Sequence, residues 1–230
     1  MANVVGIILA RGGSKGIPNK NIVNFCGKPL LSWSIKQVKH AEGVSSVWVS
    51  SDNDVILDVA REYGANTIRR PEILSGDMST SESGWLHALE HIEKSGTHVD
   101  LILALQATSP LRETSDIEIA LQNFEKLKCD SMFSCSTLRD FLIWEKMIDG
   151  TYRSANYDHK NRKRRQDITE QYVENGSFYI FKPKILKELH NRLGGKIGIT
   201  KMELWKSFEI DSIDDLELCE TLMNHYLLKG

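Results

Sequence analysis

Cysteine is scarce: four residues in 230, at positions 26, 129, 135 and 219, with no two in a C-x-x-C pair. That pattern is one of reduced core or surface thiols in a cytoplasmic protein. Long apolar runs are missing as well. The longest last about six residues, against the roughly 20 that a membrane-spanning helix requires. The start, Met1-Ala2-Asn3-Val4, has no basic segment with a long apolar stretch behind it, so no signal peptide is expected. Charge of one sign is not in excess, with 29 Lys and Arg against 31 Asp and Glu. A net charge of −2 steers the chain toward neither nucleic acid nor a membrane surface, so any anion site must be local.

The commonest chemical signatures are absent too. Lys15 follows Ser14 and precedes Gly16 and Ile17, which breaks G-x-x-x-x-G-K-[ST], and G-x-G-x-x-G does not occur. There is no G-x-S-x-G elbow for Ser-His-Asp hydrolysis. His87 and His91 stand four apart, but Ala-Leu-Glu lies between them, no third ligand is evident, and H-E-x-x-H is not formed. The basic run Asn161 to Arg165 is a solvated charge face.

What is present is the composition of a folded soluble domain, 41% hydrophobic and 26% charged. Apolar stretches at Val4–Leu9, Val44–Val49, Leu101–Leu105 and Ser131–Cys135 read as buried parallel strands. Helical segments fall between them near 30–41, 53–63, 80–95 and 115–127. Ser79-x-x-Glu82 and Ser115-x-x-Glu118 have capping-box spacing, and Asp52 or Asn53 is a suitable N-cap. The expectation is a single α/β domain over residues 1–230, with a doubly wound, mainly parallel sheet. From Leu138 to Val173 the periodicity is lost while Phe141, Trp144, Met147, Tyr152 and Tyr157 accumulate. That length suits an inserted hairpin or arm that packs on a partner subunit. The chain then re-enters the sheet at Ser177–Phe181, turns at Pro183 and ends in a helix from about Ser212 to Leu228.

Residues 9 to 21, Leu-Ala-Arg-Gly-Gly-Ser-Lys-Gly-Ile-Pro-Asn-Lys-Asn, are the most informative. A buried strand delivers the chain into a loop with Arg11, Lys15 and Lys20, where Gly12 and Gly13 let backbone N–H groups approach an anion and Pro18 stiffens the path. A polyphosphate across the carboxyl edge of the sheet suits such a loop. Near the other end, Glu209-Ile210-Asp211 lies in a strand-like run, so period two puts both carboxylates on one face. They could serve a hard cation such as Mg²⁺, or Asp211 could simply cap the final helix. The polar cluster Gln106-Ala107-Thr108-Ser109-Pro110-Leu111-Arg112 follows a strong strand; it is either a site at a carboxyl strand end or a turn that Pro110 stops. Ser81 falls in the first turn of a helix, as a cap or as a contact to a ribose or base edge.

With Arg70-Pro71-x-x-Leu74 and Asn175-Gly176-x-x-Tyr179 added, the set resembles the acylneuraminate cytidylyltransferases and the related CMP-Kdo synthetases. The resemblance runs from Leu9 to the terminal helix through five segments in order. It implies a nucleotidyltransferase fold, transfer of CMP from CTP to the anomeric hydroxyl of a sialic-acid-like α-keto acid, and release of pyrophosphate. Implied catalytic residues are Arg11, Lys15, Lys20 and Gln106, the last also facing the sugar. Leu9, Gly12, Gly13, Ser14, Asn21, Arg70 and Ser81 would hold the nucleotide. Arg165, Asn175 and Tyr179 would serve the sugar, while Asp211 and Glu209 would hold Mg²⁺, with Mn²⁺ as the alternative metal. A homodimer paired through the arm is implied as well.

The chain departs from the family pattern at Ala107, where Pro is usual, and at Glu209, where Asp is usual. Val173 also stands where several relatives carry Arg. An acidic residue stands near Gln106 in CMP-Kdo synthetases, so Gln106 favours nine-carbon sugar acids. The alternatives are a Kdo or other sugar nucleotidyltransferase and a non-catalytic nucleotide-binding module.

Overall fold

Two apolar runs without a polar break, Val4–Leu9 (β1) and Leu101–Gln106 (β6), pair side by side at the centre of a seven-stranded sheet. Alternation along β1 feeds two separate layers. Val5 and Ile7 pack with Trp85, Leu89 and Ile92, whereas Val4 and Ile8 pack with Leu31, Ile35 and Val38 on the opposite face. The computed structural model describes residues 2–138 and 141–228, and Arg165 by its backbone alone.

After β1 comes a two-residue hairpin, β2 (Asn24–Phe25) and β3 (Lys28–Pro29), which leads into α1 (Leu30–His40). There follow β4 (Val44–Ser51), α2 (Asp54–Glu62), β5 (Asn66–Arg69) and α3 (Ser81–Lys94). Beyond β6 lie α4 (Thr114–Leu127), β7 (Ser131–Thr137), β8 (Trp144–Lys146) and β9 (Tyr152–Ser154). The last elements are β10 (Tyr172–Phe181), α5 (Pro183–Leu189), β11 (Ile197–Lys201) and α6 (Ile213–Tyr226). The main sheet runs β11-β7-β10-β6-β1-β4-β5, and only β10 is antiparallel to its neighbours. This is the doubly wound, mainly parallel α/β architecture expected. The chain leaves β1 toward β4 and β5, then returns to β6 on the other flank. A crevice therefore opens beyond the carboxyl ends of β1 and β6, where such sheets place their ligands.

Several local expectations differ from the structure. The N-cap of α3 is Thr80, which accepts from Ser83 N, while Glu82 is drawn away to Arg192 at 2.7 Å. The capping box of α4 is Glu113 with Asp116, two residues earlier than Ser115 and Glu118; Glu118 instead accepts from Glu42 N. Asn53 does cap α2, accepting from Val55 N and Ile56 N. Pro183 opens the helix α5 rather than a bare turn, since Pro at the first helical position gives up only an N–H that has no helical partner. The Ser207–Ile210 run expected to be strand-like is not a strand. It follows a 3₁₀ turn at Leu204–Ser207 and no ladder continues it; one backbone bond, Ile210 N to Thr108 O at 2.9 Å, pins it beside the end of β6.

A third apolar cluster matters most for function. Ile17 from the basic loop and Ile210 from between the two carboxylates share it with Phe25, Leu30, Leu111, Cys219 and Met223. Burial of these side chains draws together segments nearly the whole chain apart. The inserted segment leaves and returns at one neck, where Leu138 N donates to Gln171 O at 2.8 Å. Within it, among the described residues, β8 and β9 pair only with each other, and Trp144, Ile148 and Tyr152 are exposed.

Candidate active site

The crevice is a cleft of about 590 Å³, lined at its base by Leu9, Gln106 and Trp85, on one wall by the basic loop and on the other by residues 74–81. Glu209 and Asp211 close one end. Leu9 and Gln106 sit in register across the β1–β6 pair, so the sheet itself sets their spacing.

The basic loop is built on backbone anchors. Asn21 is buried and its Nδ2 donates to Arg11 O at 2.9 Å, while Gly12 N donates to Asp52 Oδ1 at 3.0 Å. Gly12 lies against Asn53, where a Cβ would come within 2.8 Å of Nδ2. Gly13, by contrast, faces open space. Asn19 turns the chain in the left-handed region, φ 53°. These contacts project Arg11, Ser14, Lys15 and Lys20 into the cleft. Asn21 itself reaches the cleft wall but spends its amide on the loop.

The opposite wall contributes Arg70, which is buried and pushed below the usual guanidinium range by that burial. Its Nε donates to Ser75 Oγ at 2.8 Å. Asp77, unforeseen in the sequence, bridges Arg11 Nη1 at 3.0 Å and Lys15 Nζ at 2.7 Å. Ser81 sits at the first turn of α3 and lines the cleft.

Lys20 Nζ pairs with Asp211 Oδ1 at 2.7 Å. Burial, then the neighbouring Asp211 charge, pushes the Glu209 carboxyl above the usual range. Gly176, φ +65°, makes room for it where β10 breaks register between Glu174 and Tyr179, because a Cβ there would overlap the carboxylate. Among the described residues no group of three or more His, Cys, Asp or Glu is placed to hold a metal. Two hard carboxylates without a third suit a Mg²⁺ that draws its remaining ligands from phosphate and water rather than from a protein cage. Behind Gln106, wholly buried Arg112 is pushed down to about 9 by burial. It donates to Gln106 O at 2.6 Å, Ser109 O at 2.5 Å and Ser177 Oγ at 3.1 Å. Arg112 thus fixes the turn that presents Gln106, a role within reach of the sequence because Arg112 ends that polar cluster.

The sugar-side residues divide. Asn175 is buried away from the cleft, accepting from Ser134 Oγ at 2.6 Å and Ser177 N at 3.2 Å. Tyr179 is also buried, its hydroxyl bonded to Glu174 and its acidity suppressed chiefly by burial. Tyr179 lies beneath the Arg192 guanidinium at 4.7 Å from its ring, with Trp85 at 4.9 Å on the same cation. Of this group only Trp85 lines the cleft, and neither it nor Arg192 stands out in the sequence. Trp85 reads as ordinary helical core, and Arg192 falls in an unpatterned loop. The side chain of Arg165 lies outside the described residues.

Comparison with known proteins agrees with this geometry. Residues 5–230 match the family model described as "Cytidylyltransferase". The chain is 35% identical over 221 residues to an N-acylneuraminate cytidylyltransferase of Oncorhynchus mykiss, covering 95% of this chain and 50% of that protein. It is 31% identical over 223 residues to a pseudaminic acid cytidylyltransferase of Campylobacter jejuni, covering 95% of this chain and 96% of that one. The chain therefore spans half the length of the first relative and nearly all of the second. The fold matches a CMP:2-keto-3-deoxy-manno-octonic acid synthetase solved with CTP, TM-score 0.74 at 16% identity, over 98% of this chain and 100% of that one. With the cleft, its cations and its two carboxylates in place, the chain belongs to the cytidylyltransferase family.

Proposed function

We propose that the chain transfers CMP from CTP to the anomeric hydroxyl of a nine-carbon, sialic-acid-like α-keto acid. The hydroxyl oxygen bonds to the α-phosphorus as the bond to pyrophosphate breaks, and the hydroxyl proton leaves to solvent. The observation that carries this reading is the convergence of Arg11, Lys15 and Lys20 with Glu209 and Asp211 on one cleft that also holds Gln106. Negative charge grows on the transferring phosphate and the leaving pyrophosphate, and a converged set of cations stabilises it without reorganising. Arg70 and Ser81, on the opposite wall, hold the nucleoside together with Asn21 and the Arg11 loop, and Gln106 orients the acceptor. Asp211 would hold Mg²⁺ with Glu209 beside it; the ion, when bound, supplies further charge neutralisation on the phosphates.

Support for the substrate class comes from the relatives named for N-acylneuraminate and pseudaminic acid, and from Gln106, which favours nine-carbon acids over Kdo. The chain is read as one catalytic domain, cytoplasmic, and dimeric through the segment 138–173. Pyrophosphate release tests the reading: CTP is offered with N-acetylneuraminate, legionaminate, pseudaminate, a deaminated analogue and Kdo. Release with at least one nine-carbon acid is expected. Release with Kdo alone would replace the substrate, and none with any acid would leave a nucleotide-binding module.

A further inference from the structure

The loop between β5 and α3 carries an acidic residue that the proposed chemistry does not use. Asp77 sends Oδ1 to Arg11 Nη1 at 3.0 Å and Oδ2 to Lys15 Nζ at 2.7 Å. One carboxylate thus bridges two of the three cations assigned to the phosphates, Lys20 being paired with Asp211 instead. Hydrogen bonds from Lys15 and Arg11 hold its carboxyl below the usual range, so it is charged wherever the reaction runs. The loop is fastened on both sides of it. Arg70 Nε donates to Ser75 Oγ at 2.8 Å, Ser79 N donates to Gly76 O at 3.0 Å and Ser79 Oγ donates to Ile73 O at 2.9 Å. Between these ties the Asp77 side chain is 51% exposed, and Met78 beside it is 95% exposed. Two partly exposed ion pairs hold the carboxylate at the cleft, contacts of a strength that a more highly charged anion can displace.

We infer that Asp77 is a positioning residue that stands in for a phosphate, holding Arg11 and Lys15 converged on the cleft until the triphosphate displaces it and reclaiming them as pyrophosphate leaves. The inference rests on the reading of Arg11 and Lys15 as phosphate ligands. Two cations without a shared anion repel and drift apart into solvent; an internal carboxylate between them removes that repulsion. A triphosphate carries more charge than one carboxylate and wins the exchange, but the competition lowers its affinity. Pyrophosphate meets the same competitor, so its departure is hastened.

Calorimetric titration of CTP and of pyrophosphate into the whole chain tests this, using wild type, Asp77→Asn, Asp77→Glu and Arg11→Ala. Asp77→Asn should tighten both ligands by about two- to five-fold, the scale on which exposed charge pairs act, and the gain should shrink as salt is raised. Asp77→Glu keeps the charge and should restore affinities near wild type. The KM for the sugar acid should not move. Unchanged or weaker binding by Asp77→Asn, alongside weakened binding by Arg11→Ala, overturns the stand-in role alone. Arg11→Ala that binds CTP as tightly as wild type overturns the phosphate reading, and the stand-in role with it.

Discussion

Arg11, Lys15 and Lys20 are conspicuous in the sequence because charge is otherwise balanced and Gly-rich loops rarely carry so many cations. Their environment was not visible. Asp77 and Asp211, the residues that hold them in the structure, lie 66 and 191 positions away from Arg11 and Lys20 respectively. Arg11→Ala should cut turnover by about 10²- to 10³-fold, the scale of losing one preorganised electrostatic donor. A folded Arg11→Ala protein with normal turnover would remove the basic loop from the mechanism. Asp211→Asn keeps the shape and removes the charge, so activity should collapse and not return on adding moderate Mg²⁺. Glu209→Asp should be tolerated, since it restores the family's residue; if it proves the more damaging change, the two roles are reversed.

Element by element, the long buried strands and the amphipathic helices were legible, while the short edges were not. β5 spans four residues, and β11 spans five after a Gly194-Gly195 pair. Neither offers a pattern that separates an edge strand from a loop, and only pairing with a neighbour defines it. Capping frames slipped because Ser79 and Ser115 had rivals within two residues, and tertiary partners claimed Glu82 and Glu118. Asp130 shows such long-range wiring at its densest. Its carboxylate takes Lys182 Nζ at 2.8 Å and Lys196 N at 3.0 Å, tying β7 to the starts of α5 and β11. These bonds, the Lys182 one first, hold its carboxyl well below the ordinary 3.8. A depressed folded value stabilises above the unfolded one and is lost as pH falls through the folded one. Asp130→Asn should therefore lower Tm near pH 7, with the gap to wild type narrowing below about pH 4, where the unfolded chain takes up the proton first, and closing only as pH falls through the depressed native value. Thermal melts across pH that show a constant gap would count against this staple.

For the whole molecule, the segment 138–173 bears on assembly. Among the described residues its β8–β9 hairpin pairs with no other strand, and Ile148 and Tyr152 stand exposed on it, an apolar surface that a second copy would cover. Sedimentation should give a dimer, and loss of Arg165 should raise the KM for the sugar acid more than that for CTP. A fully active monomer at assay concentration would remove the dimer from the reading.

The sequence by itself determined the layered α/β class, the basic loop after the first strand and the polar end of β6, because each is local: an apolar run, a turn and the side chains that follow it. Tertiary structure decided how these meet. Burial of Ile17 and Ile210 in one cluster brings Asp211 to Lys20, and the left-handed turn at Gly176 makes room for Glu209. The implied sugar-side residue Asn175 turns inward for a similar reason, since Ser134 on the neighbouring antiparallel strand and Ser177 two residues on in its own strand satisfy its amide oxygen. Such pairings depend on which distant surfaces pack, and the free energy that selects them is shared across the whole core rather than written at any one position.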